Sequence, residues 1–180
     1  LGKALHSFHA RLTAERKHYS YQLSTRTCVS PFIARYCWPC GPLDSDAMAH
    51  AAGTLSRVRL DYSAFTTNSN GPPEPQYHGS THKEVAVSVA AGLDETIVVH
   101  VSSERFLYKM VRRIVGGLVE VGKGRMKPNV LQAAVREAIP TAPPTGLVLE
   151  SVEYPEEYAD ATLLAREAPR EPAWTSIDAL

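Results

Sequence analysis

The sequence lacks the long apolar run that a membrane-spanning helix requires. Its most apolar segment, residues 106–122, is interrupted by Lys109, Arg112 and Arg113, whereas a bilayer span needs about 20 predominantly apolar residues. The sequence also lacks a net charge, with 19 basic and 19 acidic residues, and it shows no signal peptide. We therefore expect an ordinary globular domain with no membrane segment, long enough at 180 residues to bury a core.

Cysteine is scarce and its number is odd. An odd count without a secretory signal indicates reduced thiols in an intracellular compartment, which is where we expect this protein. Cys37 and Cys40 have the spacing of zinc ligands, but a structural zinc site needs four ligands, and only Cys28 or a distant histidine could complete this one. We therefore predict no metal site.

Charge is unevenly distributed along the chain although the total is zero. Basic residues concentrate in residues 1–36 and 104–127, and acidic residues concentrate after Gly146. Basic patches on a neutral chain suit a polyanion such as RNA, although a solvated surface explains many charge runs equally well. Residues 1–158 are expected to form one α/β subdomain, and residues 159–180 an acidic, partly disordered tail.

Apolar residues recur at helical spacing between residues 106 and 122, which predicts a buried helix with Lys109 and Arg113 on its polar face. Arg112 lies at the edge of the apolar face. A buried, unpaired guanidinium costs several kcal/mol, so Arg112 must reach water or a carboxylate. Gly116 and Gly117 each cost a helix roughly 1 kcal/mol relative to alanine, which indicates that another backbone or a ligand comes close. The periodicity alone also fits a plain core helix.

The remaining patterns predict an α+β fold of the split β-α-β, ferredoxin-like class, with an antiparallel sheet and helices on one face. The predicted strands cover residues 16–25, 84–91, 97–102 and 146–154, and the predicted helices cover residues 45–56, 106–122 and 128–138. Asp44 is the expected N-cap of the first helix, residues 92–95 form a hairpin turn, and residues 68–80 form a mobile loop. This fold serves RNA-binding modules, small enzymes and interaction domains, so it does not identify the function.

Four motifs in the expected order resemble those of the TruA-type tRNA pseudouridine synthases. They are Phe8-His9-Ala10-Arg11 with Tyr19-Ser20-Tyr21, then Asp61-Tyr62-Ser63-Ala64-Phe65, then residues 106–116, and finally residues 146–149 leading to Val152-Glu153-Tyr154-Pro155. The resemblance covers about residues 7–158 and implies half of a pseudouridine synthase catalytic domain. It implies an enzyme that isomerises uridine to pseudouridine in tRNA, without a cofactor, on a base taken out of its stack.

The resemblance also shows what this sequence does not contain. In the family, the catalytic aspartate belongs to a Gly-Arg-Thr-Asp-type motif upstream of the Phe-His-Ala-Arg segment, and no such motif occurs in these 180 residues. The chain is therefore expected to be the C-terminal fragment of a longer synthase, inactive by itself. The family also implies a homodimer around tRNA.

The resemblance assigns roles to three residues of this chain. Tyr19 matches the tyrosine that stacks on the target uracil and handles a proton, and Arg112 matches the arginine that pairs with the catalytic aspartate. Leu147 matches an apolar residue of the uracil pocket. From their charge, the expected phosphate contacts are Arg11, Arg16, Lys17, Lys109 and Arg113. Two alternatives stay open, namely a non-catalytic RNA-binding module of the same fold and an interaction domain that binds no nucleic acid.

Overall fold

The computed structural model describes residues 8–56, 58–66, 80–132 and 139–158. The chain divides into two units, Leu1–Glu15 with Glu153–Leu180, and Arg16–Val152. The predicted tail at residues 159–180 and nearly all of the predicted loop at residues 68–80 lie outside the described residues, as do residues 133–138 of the third predicted helix. These predictions are therefore not tested.

Within its described residues, the larger unit contains a five-stranded sheet, a two-stranded sheet and three α-helices. Its strands are β1 (Arg16–Ser24), β2 (Trp38–Pro39), β3 (Arg59–Asp61), β4 (His82–Glu84), β5 (Ala86–Ala91), β6 (Thr96–Ser103) and β7 (Leu147–Glu153), and its helices are α1 (Ser45–Leu55), α2 (Met110–Gly122) and α3 (Pro128–Gln132). β6 is antiparallel to both β1 and β5, while β7 and the short β2 pair with β1. The order β5-β6-β1-β7 is that of the split β-α-β fold, as predicted.

The helices cover one face of the sheet because both elements bury their apolar side there. Tyr21 and Leu23 of β1 lie in one core cluster with the apolar residues of β5, β6, α1 and α2. The Asp44 side chain accepts a hydrogen bond from the Ala47 amide at 2.9 Å, so the predicted N-cap of α1 is confirmed. Among the described residues, no helix has the length and apolarity to traverse a bilayer.

The segment predicted as a single strand at residues 84–91 is two strands with different partners. β4 pairs with β3 in a separate two-stranded sheet, and β5 pairs with β6. Val85, between them, is fully buried. The alternation of valines continues unbroken through this point, so the sequence pattern does not reveal the change of partner.

The central helix begins later than predicted. α2 starts at Met110 because Lys109 has a left-handed backbone (φ 59°), which interrupts a helix, and the Met110 amide donates to the Leu107 carbonyl in a turn. The prediction that Arg113 lies on the polar face is wrong, since only 8% of it is exposed. The predicted apolar face of the helix begins at Phe106, but Phe106 belongs to the turn before α2.

The close approach predicted from Gly116 and Gly117 is confirmed. A Cβ atom at Gly116 would collide with the Pro140 carbonyl oxygen and lie 2.9 Å from the Pro140 carbonyl carbon. One at Gly117 would collide with the Leu131 side chain. The backbone that follows α3 therefore packs directly on α2.

The smaller unit is held together by aromatic rings. The Phe8 ring lies 5.1 Å from that of Tyr154 and 5.5 Å from that of Tyr158, measured between centroids. The Tyr154 hydroxyl donates to the Ala10 carbonyl at 2.9 Å. Arg11 is exposed in this unit.

We predict that Gly116→Ala lowers the free energy of unfolding by about 1–3 kcal/mol, because the added methyl group meets backbone atoms that have no rotamer to change. Urea unfolding followed by circular dichroism measures this. Gly53→Ala in α1 is the matched control, since a Cβ atom there has nothing within 4 Å. That substitution should stabilise the chain by up to about 1 kcal/mol, and an equal loss of stability in both variants would contradict the close packing at Gly116.

Candidate active site

Two tyrosines on the same face of β1 have different surroundings. Tyr19 and Tyr21 are two residues apart on a strand, so their side chains leave the same face. Tyr21 is fully buried, and its hydroxyl donates to the Pro143 carbonyl at 2.7 Å. Tyr19 is only half-buried, and its hydroxyl has no hydrogen-bond partner among the described residues. Tyr21 is therefore a structural residue, whereas the Tyr19 hydroxyl can serve a ligand.

Phe106 holds the ring of Tyr19. The two rings meet edge to face, with centroids 5.2 Å apart and an interplanar angle of 87°. Burial raises the pKa of Tyr19, so its phenol is neutral and carries a proton at neutral pH. Phe106 was not predicted to belong to the site, although it is the first residue of the most family-specific motif.

Arg112 lies at the edge of the apolar face of α2, as predicted. Its Nε donates to the Ala142 carbonyl at 2.6 Å, and the Ala142 amide donates back to the Arg112 carbonyl at 3.0 Å. Within residues 8–56, 58–66, 80–132 and 139–158, no carboxylate forms an ion pair with Arg112. A guanidinium has five N–H donors. Its two terminal nitrogens can therefore bind an anion that the described residues do not supply.

The segment from Ala142 to Leu147 connects these residues. The Ala142 carbonyl accepts from Arg112, the Pro143 carbonyl accepts from Tyr21, and the Gly146 carbonyl accepts from the Gln22 amide at 2.9 Å. Gly146 has φ 93°, and a Cβ atom there would lie 2.7 Å from the Gln22 carbonyl oxygen, so only glycine fits. Leu147 follows at once and packs against the core.

The positive charge of Arg112 also influences Tyr21. Burial raises the pKa of Tyr21 well above its ordinary value, with a further increase from Cys40, and the positive charge of Arg112 opposes this increase. The segment from Ala142 to Leu147 therefore links Arg112 to Tyr21, and Tyr19 lies two residues from Tyr21 on the same face of β1. We take Tyr19, Arg112 and Leu147 together as the candidate active site.

The basic residues expected to contact phosphate are dispersed. Arg16 and Lys17 are half-buried at the start of β1. Lys109 precedes α2 with its ammonium nitrogen 5.1 Å from the centroid of the Tyr108 ring. The burial of Arg113 leaves little of its side chain accessible to a phosphate. Their roles stay predictions.

The opposite face of the sheet carries a shallow depression of about 300 Å³, lined by His18, Ser88 and His100 among others. Tyr19 also borders the depression, which lies on the face that carries His18 and His100, opposite the side chains of Tyr19 and Tyr21.

Cys37 and Cys40 have raised pKa values. Burial raises the pKa of Cys37, and it raises that of Cys40 to about 11, so both stay neutral thiols at neutral pH. In the part of the chain that the structure describes, no three His, Cys, Asp or Glu side chains are grouped as metal ligands.

We predict that Tyr21→Phe lowers the free energy of unfolding by about 1–2 kcal/mol, because it removes the hydrogen bond to Pro143 from a buried site. Tyr19→Phe should leave this free energy unchanged, since the hydroxyl it removes has no partner among the described residues. Tyr36→Phe is an exposed control. Urea unfolding of the three variants measures the difference, and equal stability of the Tyr21 and Tyr36 variants would contradict it.

The sequence of the chain matches known proteins along most of its length. The model of the family described as tRNA pseudouridine synthase matches residues 48–155. The tRNA pseudouridine synthase A of Moorella thermoacetica is 39% identical over 153 residues, which are 82% of this chain and 59% of the relative. That of Gloeobacter violaceus is 36% identical over 157 residues, 83% of this chain and 49% of the relative.

The corresponding protein of Burkholderia mallei is 34% identical over 179 residues, which are 96% of this chain and 63% of the relative. This chain thus spans about half to three fifths of the length of these curated relatives. The family match contains most of α1 and all of α2 and β7, and it includes Arg112 and Leu147. It confirms the resemblance drawn from the motifs, and the chain belongs to the tRNA pseudouridine synthase family.

Proposed function

We propose that this chain forms one part of the catalytic domain of an enzyme that isomerises uridine to pseudouridine in tRNA. The observation that carries the proposal is that two polar groups of the candidate site are available for a ligand. The Tyr19 hydroxyl and the terminal nitrogens of Arg112 have no partner among the described residues, yet the elements that hold them are buried and hydrogen-bonded. Such preorganised but unused groups are typical of a catalytic site.

The reaction needs only proton transfer and charge stabilisation from the protein. It breaks the bond between N1 of uracil and C1′ of ribose and forms a bond between C5 and C1′. One proton leaves C5 and one is gained at N1, so no electrons enter or leave and no cofactor is required. A positioned phenol and a carboxylate are side chains that perform such steps.

Tyr19 is proposed to hold the uracil and to handle a proton. An aromatic ring supplies a flat surface for a base that has left its stack, at about 1–3 kcal/mol per stacked base. Phe106 fixes the ring by its edge contact. The neutral phenol has both a proton to donate and an oxygen to accept one, and Leu147 would add an apolar wall beside the base.

Arg112 is proposed to pair with the catalytic aspartate, which this chain does not contain. A guanidinium beside a carboxylate lowers the pKa of the carboxylate and keeps it ionised. The bond from Nε to the Ala142 carbonyl orients the guanidinium before the aspartate arrives. The aspartate would come from a segment outside these 180 residues, so the chain alone is expected to be inactive.

The substrate and the oligomeric assembly of the enzyme are also proposals. The relatives bear the name tRNA pseudouridine synthase A, which supports tRNA as the substrate. Lys17, Arg16, Lys109 and Arg11 are proposed to contact its phosphates. A homodimer that binds tRNA between two chains is proposed from the family resemblance.

We predict that pseudouridine forms in bulk tRNA only when the chain is extended upstream through a Gly-Arg-Thr-Asp-type motif. In the extended protein, Tyr19→Phe and Arg112→Ala should each lower kcat at least about 100-fold, the usual range for loss of an acid–base group. Release of tritium from tRNA labelled at C5 of uracil measures the rate.

Tyr36→Phe and Arg26→Ala are the matched controls, because one changes an exposed tyrosine and the other an exposed arginine. Both should keep full activity. Full activity of the Tyr19 and Arg112 variants would refute their roles. Binding of tRNA without isomerisation by any form would favour the non-catalytic RNA-binding module.

A further inference from the structure

A cavity at the N-terminal end of β1 collects positive charge that no family motif in this sequence accounts for. It has a volume of about 220 Å³. Its lining includes four cationic side chains, Arg16, Arg59, Lys83 and Arg105, and two carboxylates, Glu84 and Glu104. Cationic side chains thus outnumber carboxylates in the lining of this cavity. Since a water molecule occupies about 30 Å³ of liquid, a phosphate group and several waters fit inside.

The cavity exists because the strand predicted at residues 84–91 is broken. β4 leaves the main sheet and pairs with β3, which sets Lys83 opposite Leu60 and Glu84 opposite Arg59. The Ser103 hydroxyl donates to the Glu84 carbonyl at 2.9 Å and fixes β4 against the end of β6. The β3-β4 pair thereby brings Arg59 and Lys83 to the side chains of Arg16 and Arg105.

The charges in the cavity are crowded enough to affect one another. Burial, and then the positive charge of Arg105, lower the pKa of Lys83; Glu104 partly offsets this decrease and Arg59 adds to it. Both burial and the neighbouring cations disfavour a charged ammonium group in the cavity. A bound anion would oppose the effect of the neighbouring cations, because it adds negative charge beside Lys83.

One residue of the cavity is adjacent in the chain to the candidate active site. Arg105 is the residue before Phe106, and the Phe106 ring contacts that of Tyr19. An anion bound to Arg105 would therefore lie one residue along the chain from the ring that contacts Tyr19.

We propose that this cavity binds a backbone phosphate of the RNA substrate, with Arg59, Lys83 and Arg105 as residues that contact it. The inference rests on the proposed function, because the RNA strand is taken to be the one that enters the candidate active site. Phosphate contacts of this kind position the strand and carry no sequence information. They add affinity that depends on salt concentration.

The test compares tRNA binding by two double variants of this chain. Arg59→Gln with Lys83→Gln removes two charges from the cavity. Arg26→Gln with Arg125→Gln removes the same number of charges elsewhere, from arginines already paired with Glu95 and Glu120. Fluorescence anisotropy with labelled tRNA, repeated over a range of salt concentrations, yields the slope of log affinity against log salt for each protein.

We expect the cavity variant to bind tRNA more weakly, with a slope shallower by about 0.7–0.9 for each phosphate that it no longer neutralises. The control variant should keep the slope of the unchanged chain. Lys83→Arg preserves the positive charge and should therefore also keep the slope of the unchanged chain. Unfolding in urea establishes that the variants are folded under the binding conditions.

Equal slopes in the two double variants would overturn the phosphate site, as would the absence of tRNA binding by the unchanged chain. The outcome is separable from that of the isomerisation assay. A slope change without any pseudouridine formation in the extended protein would leave the phosphate site standing and remove the proposed enzyme activity. Pseudouridine formation by the extended protein, together with equal salt slopes in the two double variants, would support the enzyme activity and remove the phosphate site.

Discussion

The arrangement of the candidate site depends on one backbone contact, the packing of residues 140–146 on α2 and β1. Gly116 has no side chain, so the Pro140 carbonyl can lie directly on α2. From this contact onward, consecutive carbonyls accept hydrogen bonds from Arg112 and Tyr21. A wider residue at Gly116 would push this segment away and release both side chains. The cost of two glycines within a helix is thus offset by the site that they permit.

The two neighbouring tyrosines of β1 differ in whether their hydroxyl groups stabilise the fold. The Tyr21 hydroxyl is bonded to the Pro143 carbonyl, whereas that of the half-buried Tyr19 has no such bond among the described residues. Arg112 has one donor of each kind. Its Nε donates to the Ala142 carbonyl, whereas its remaining donors have no partner among the described residues. Each of these available groups therefore lies beside a hydrogen bond that fixes the segment around it.

The order of elements was predictable because each element has a local signal. Alternation identified β1 and the hairpin of β5 and β6, and Asp44 marked the start of α1. The motifs also led to Tyr19, Arg112 and Leu147, whose roles stay predictions. Local signals failed where a backbone conformation decides the boundary. The left-handed Lys109 delayed α2, and the change of strand partner at Val85 left no mark in the valine alternation.

Residue type and spacing were sufficient to predict the fold class, the family and the apolar face of most elements, because these properties depend on short stretches of chain. Which groups remain available at the site depends instead on tertiary contacts. Whether a tyrosine is bonded or an arginine is buried is set by segments distant in sequence, as Pro143 is from Tyr21. The same holds for the cavity of Arg16, Arg59, Lys83 and Arg105. These four residues are widely spaced along the chain, and they line one cavity only because β3 and β4 fold against the ends of β1 and β6.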